Sequence, residues 1–188
     1  MYPTMNIDNI IISTNDSPEY IEFLPIVSRA WKKLQPQAKL YMGYTSEKPA
    51  SKEMSEYADV FPYWDKRIPS PNIAKVSRLL LACKLPGISM LSDMDMLPLQ
   101  ANYFSNCVNS LSEGKIVFCS SDAYTQDNRF PICYILAHRE TFREIVNPNN
   151  LTDTELLENW MQYRLDKKDN VAKSPFSDES LLRWMIKK

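Results

Sequence analysis

Ile88-Ser89-Met90-Leu91-Ser92-Asp93-Met94-Asp95 decides the reading of this chain. A short apolar run that ends in two acids spaced two apart reads as a buried strand emptying into a polar turn. In extended backbone the Asp93 and Asp95 side chains would leave on the same side. Two adjacent carboxylates repel unless a positive charge sits between them, and a divalent cation supplies it. Mg²⁺ and Mn²⁺ favour such oxygen ligands and keep positions open for water or phosphate. A DxD also occurs as a plain turn former or helix cap.

Upstream, Ser70-Pro71-Asn72 has a cap-and-proline signature and opens a helix that ends at Leu85-Pro86-Gly87. Ile73, Val76, Leu80 and Cys83 form its apolar stripe, with Lys75 and Arg78 on one flank. Cations there could reach a phosphate or sugar hydroxyl beside the DxD strand; a solvated helix face is the plainer alternative. Nearer the N-terminus, Asn9-Ile10-Ile11-Ile12-Ser13-Thr14-Asn15 reads as a buried strand. Ser17-Pro18-Glu19 then opens a helix expected to reach Leu34, with strands at 38–45 and 59–64 and a weak helix at 52–57 between them. Pro62 assigns the third strand to an edge or strand end.

Downstream, a helix at 102–111, a strand at 115–120, a strand at 131–137 and a helix at 139–146 continue the alternation. Thr152-Asp153-Thr154-Glu155 fits a capping box. The charged segment 164–173 reads as a surface loop, and Ser177-Asp178-Glu179 starts a last helix through Ile186. The pattern predicts an α/β fold: a central, mostly parallel sheet flanked by helices, in one domain over residues 1–188. Ligands of such sheets bind outside the carboxyl ends of the strands, where Ser13-Thr14-Asn15-Asp16, Asp93-Met94-Asp95 and Ser120-Ser121-Asp122 fall.

Composition excludes several classes. The chain has 188 residues, 44% hydrophobic and 24% charged, with a net charge of −1, which suits one core and argues against a strong phosphate-attracting field for nucleic acid. Its glycines are Gly43, Gly87 and Gly114, so no GxGxxG or P-loop can be written. With His138 as its one histidine, it holds no HExxH site. No apolar run reaches membrane-spanning length, and Met1-Tyr2-Pro3-Thr4 does not resemble a secretory leader, so a cytoplasmic location is expected. Cys83, Cys107, Cys119 and Cys133 form no CxxC pair and sit in apolar contexts, which predicts buried free thiols in a reducing compartment.

The stretches 73–81 and 88–98 resemble the core signature of DxD glycosyltransferases with the GT-A (nucleotide-diphospho-sugar transferase) fold. In that family an arginine-bearing helix precedes a strand ending in the metal-binding DxD. The resemblance extends to the first strand and its loop, and more weakly to Ser177-Asp178-Glu179-Ser180-Leu181-Leu182. Small virus-encoded glycosyltransferase domains are of similar size, so the chain could be one domain of a larger enzyme.

The resemblance implies that Asp95 binds Mn²⁺ or Mg²⁺, with Asp93 sharing the metal or contacting ribose. The donor would be a nucleotide-diphosphate sugar, UDP-sugar favoured over GDP-sugar, and the acceptor a glycan or glycoside hydroxyl. Arg78 would place the donor, with Lys75 near it; Asp65 and Ser13, Thr14 and Asn15 are candidates for base and ribose. Asp178 and Glu179 are the candidate carboxylates near the acceptor, either accepting its proton or complementing the helix dipole. Asp122 and Asp127 could border the acceptor cleft, and Tyr63, Trp64, Tyr124 and Tyr134 could stack on sugar or uracil, though core packing explains these aromatics too. The chain departs from the family in offering no metal-ligating histidine after His138, which reads as structural; water, phosphate or a residue beyond Lys188 would complete the coordination. Two other readings stay open: a HAD-type phosphatase with Asp93 as nucleophile, and a module that binds nucleotide sugar without turnover.

Overall fold

β1 (Asn9–Asn15) is the middle of the sheet because its isoleucines are buried on both faces. It pairs in parallel with β2 (Lys39–Thr45) on one side and β4 (Ile88–Leu91) on the other. The computed structural model of the protein describes residues 6–120, 131–166 and 178–186. β3 (Asp59–Tyr63) pairs in parallel with β2 and forms one edge, where Pro62 costs no ladder bond. Beyond β4 the sheet changes direction: β6 (Ile135–His138) runs antiparallel to β4, and β5 (Val117–Phe118) antiparallel to β6. The order is β3-β2-β1-β4-β6-β5.

The predicted helix over 17–34 is two helices, α1 (Pro18–Ile21) and α2 (Leu24–Leu34). Pro25 is the cause: it has no N–H to donate and its ring clashes with the carbonyl of Ile21, so α1 stops there. α2 buries Leu24, Val27 and Trp31 against Ile10, Ile12, Met42 and Tyr44. α3 (Lys52–Tyr57), capped by Ser51 Oγ accepting from Met54 N at 3.2 Å, and α5 (Ala101–Asn109) cover the same face.

α4 (Ser70–Ala82) lies on the opposite face, over β1 and β2. One apolar stripe was expected, but ten of its residues are buried, Ser77 and Arg78 among them. The reason is a second cover: α6 (Arg139–Val146) packs on its outer side, and α7 (Asp153–Asp166) and α8 (Asp178–Ile186) contribute to the same core. Gly43 permits the close approach of α4 to β2. A β-carbon there would stand 2.3 Å from Ser77 Oγ and 2.9 Å from Ser77 Cβ.

The capping box forms as read: Thr152 N donates to Glu155 Oε2 at 2.8 Å and Glu155 N to Thr152 Oγ1 at 3.4 Å. α7 then runs to Asp166, so 164–166 are helical where a loop was expected, and the rest of the expected loop over 164–173 lies outside the described residues. Two further expectations need correction. The apolar run 131–137, read as continuing the alternation, forms a strand only from Ile135 and in the opposite direction. Nor are all four cysteines free: Cys107 of α5 is joined to Cys119, with α-carbons 5.6 Å apart, while Cys83 and Cys133 keep thiols. No described helix is long and apolar enough to cross a membrane.

Candidate functional site

Successive strands β1, β2 and β3 step one way across the sheet, and β4 returns to the other flank of β1. The strand order therefore reverses between β1 and β4, and the crevice of a doubly wound sheet opens at the carboxyl ends of those two strands. Ser13, Thr14 and Asn15 end β1; Asp93, Met94 and Asp95 follow β4. The last paired rung is Ile11 with Leu91, and Ser92 N donates to Ile11 O at 2.9 Å just beyond it. Both candidate loops thus leave the sheet side by side.

The DxD does not stay extended. Residues 94–95 form a turn, Met96 N pointing to Asp93 O at 3.4 Å, and Met94 is buried. This corrects the expectation that the pair lies in extended backbone. Asp93 turns inward and forms an ion pair with Arg78, whose side chain is only 5% exposed against 33% for Asp93. Asp95 is exposed at the tip. Helical side chains lean toward the helix N-terminus, so Arg78 can reach back from the middle of α4 to the crevice.

Cys133 also stands beside Asp93. The thiol contacts both the Asp93 carboxylate and its backbone N–H, and burial, with Asp93 next in effect, pushes it up to about 12. It is therefore a protonated neighbour of the carboxylate at neutral pH. Antiparallel β6 explains its arrival: Tyr134 N donates to Leu91 O at 2.8 Å, so the segment entering β6 lies where β4 ends. Tyr134 has a left-handed φ of 60° and packs its ring against Trp31, Phe104 and Tyr103. It is a core residue with strained backbone, consistent with its packing alternative.

The remaining predicted residues distribute unevenly. Strand alternation splits Ser13 and Asn15 from Thr14: the first two are half-buried, and Asn15 Nδ2 meets Ser70 Oγ of α4 at 3.5 Å. Thr14 is buried, its hydroxyl donating to Asn15 O at 3.0 Å. Lys75 is half-buried on α4, one turn before Arg78.

Asp65, after β3, is gripped by Arg67 through Nε at 2.9 Å and Nη2 at 2.5 Å, and Arg67 Nη1 reaches Glu158 of α7 at 2.6 Å. The Arg67 fork holds the Asp65 carboxyl down at about 2. That clamp ties the β3–α4 loop to α7 and was not legible in the sequence.

Ser46, just after β2, donates to Asp16 Oδ2, just after β1, at 3.2 Å. The backbone of Asp178 and Glu179 opens α8, and their side chains lie outside the described residues. Asp122, Tyr124 and Asp127 lie outside them altogether. Trp64 is exposed, Tyr63 buried. His138 is the N-cap residue of α6 and takes no part in the crevice.

Among the described residues no cluster of three or more His, Cys, Asp or Glu side chains is arranged to hold a metal. Zinc-type coordination is thus not built from this side-chain set. Two carboxylates on one turn do fit Mg²⁺ or Mn²⁺, which take one or two protein oxygens and fill the rest of their shell with water and phosphate.

No protein-family model matches the sequence, and comparison with curated proteins finds no match. Solved structures do. The glycosyltransferase GlyE of Streptococcus pneumoniae TIGR4 matches with a TM-score of 0.62 at 10% identity, over 97% of this chain and 44% of its own. Its apo form gives 0.59, also at 10% identity and with the same coverage of both chains. An active-site variant of LgtC gives 0.55 at 12% identity, over 93% of this chain and 68% of its own. The chain thus spans less than half the length of the GlyE chain it matches. The α/β sheet with its antiparallel β6, helices on both faces and a crevice between β1 and β4 is the GT-A fold of these glycosyltransferases.

Proposed function

We propose that the chain is a metal-dependent glycosyltransferase domain that takes a sugar from a nucleotide diphosphate, UDP favoured, to a hydroxyl of a glycan or glycoside. The observation that carries this reading is the Arg78–Asp93 pair beside the exposed Asp95, at the strand-order reversal of a glycosyltransferase-like sheet. Arg78 engages one oxygen of Asp93 and offsets part of the repulsion between the two acids. Asp93 and Asp95 would then be the residues that hold Mn²⁺ or Mg²⁺. Such an ion, when bound, would neutralise charge on the departing diphosphate.

The chain's own groups handle the rest. Ser13 and Asn15, on the α4 side of β1, suit hydrogen bonds to ribose or base, with Asp65 beyond them. Lys75 supplies a positive charge from the first half of α4 for a phosphate. Asp178 or Glu179 at the start of α8 would take or orient the acceptor proton. Phosphoester hydrolysis with Asp93 as nucleophile has less support, because the Arg78 guanidinium already occupies and stabilises that carboxylate.

A thermal-shift and turnover panel of nucleotide sugars with and without Mn²⁺ tests the reading. Stabilisation and transfer that require metal and one donor are expected, since binding to the native state alone raises the melting temperature. Mn²⁺-dependent turnover retained in Asp95→Ala would overturn it. Donor binding without turnover would identify a nucleotide-sugar-binding module instead.

A further inference from the structure

A cavity of about 320 Å³ lies away from the crevice, between the last turn of α4, α6 and the first turn of α7. It shares no residue with the candidate donor site. Its size falls in the range of small-molecule sites. Lys84, Arg139 and Arg143 line it, against the single carboxylate of Asp153.

Arg139 and Arg143 are four residues apart on α6, so their charges fall on one side of the helix, an arrangement that costs stability when nothing negative lies between them. Neighbouring acids answer only part of that charge. Lys84 pairs with Asp153, and Arg139 with the adjacent Glu140 at 2.6 Å, but Arg143 donates to the neutral amide oxygen of Asn150 at 3.0 Å.

The wall carrying these groups is preorganised. The Asn147 side chain bonds both ways to Leu151, Nδ2 to O at 2.8 Å and Oδ1 from N at 2.7 Å. Asn150 takes a left-handed φ of 53°, a conformation that asparagine tolerates, within this turn. Leu80 and Leu156 supply apolar walls.

We infer that this cavity binds a small hydroxylated phosphate monoester, of hexose phosphate size, at a site separate from the crevice. The Arg139 and Arg143 forks match phosphate oxygens, and the Asp153 carboxylate and Asn150 amide can take hydroxyls of the carried polyol. This assignment stands independently of the proposed transferase activity.

Titration of the protein with glucose 6-phosphate at low ionic strength, by calorimetry, tests it, with inorganic phosphate and glucose as the partial ligands. Saturable binding is expected, weaker for phosphate and absent for glucose. Arg143→Gln and Arg139→Gln should each weaken it by about tenfold, the worth of one charge-assisted contact. Both arginines reach solvent, so unchanged circular dichroism and melting temperature should accompany the loss. Arg143→Lys should recover part of the affinity through its charge. Asp95→Asn, or saturation with UDP and Mn²⁺, should leave binding intact. Absence of saturable binding overturns the inference, as does binding unchanged in the Arg139→Gln/Arg143→Gln double variant. Competition by UDP and Mn²⁺ would move the phosphate to the crevice and overturn it too.

Discussion

Arg78 and Asp93 are 15 residues apart in sequence and form an ion pair in which the cation is buried and the carboxylate is one-third open. The asymmetry separates the two DxD acids. Asp93→Ala takes the carboxylate from a buried guanidinium and is expected to cost about 1–3 kcal/mol of stability, while Asp95→Ala, at an exposed turn tip, should stay within about 0.5 kcal/mol. Both should abolish metal-dependent donor turnover. Denaturant unfolding alongside the activity assay checks the split; equal stability losses would contradict it.

The close contact of Gly43 with Ser77 sets how near α4 lies to β2, and thereby where Arg78 sits. Gly43→Ala puts a methyl group inside contact distance of the Ser77 β-carbon, an overpacking expected to cost about 1–3 kcal/mol. A fall in the urea midpoint with an unchanged slope is the predicted signature.

Acid should release the Asp65 clamp. The folded carboxyl is held at about 2 against an ordinary 3.8, so its contribution is present above the ordinary value and is lost as pH falls from there through about 2. Asp65→Asn should flatten the stability profile in that window, lowering stability slightly near neutrality and converging with the parent protein in acid. The Arg67 fork is solvent-exposed, so the effect should be small and should shrink further in salt.

Cys133 should react slowly despite being only half-buried. With its thiol pushed to about 12, the thiolate fraction at pH 8 is roughly a thousandfold below that of an ordinary cysteine. Alkylation with iodoacetamide, followed by peptide mass analysis, is expected to lag a small thiol by that order. Acceleration in Asp93→Asn would show the carboxylate's share in the suppression.

The parts of the fold that local chemistry dictates were legible. β1 was read to its limits because a β-branched run between polar residues has one cheap solution, and the capping box before Leu156 formed as written. Pro25 was visible, yet the apolar periodicity across it disguised the break between α1 and α2. The direction of β6 was not legible: residues 131–137 are apolar in either sense, and only pairing with β4 fixes which end meets the crevice. For that reason Cys133 beside Asp93 was missed. The Arg67 clamp escaped because it links residues 91 apart in the chain. The backbone at Asp93–Asp95 is a turn rather than extended, because the strand ends at Leu91.

β4 has two neighbours, and they are synthesised at very different times. β1 is complete about 70 residues earlier, whereas the strand that closes the other flank follows more than 40 residues later. On the ribosome, Ile88–Leu91 would therefore wait with one ladder of backbone groups open, three apolar residues and Ser89 beside unmade bonds. A nascent chain stalled before Ile135 should be the aggregation-prone species of this protein, and truncations placed between the two strands should be insoluble where the longer chain is not.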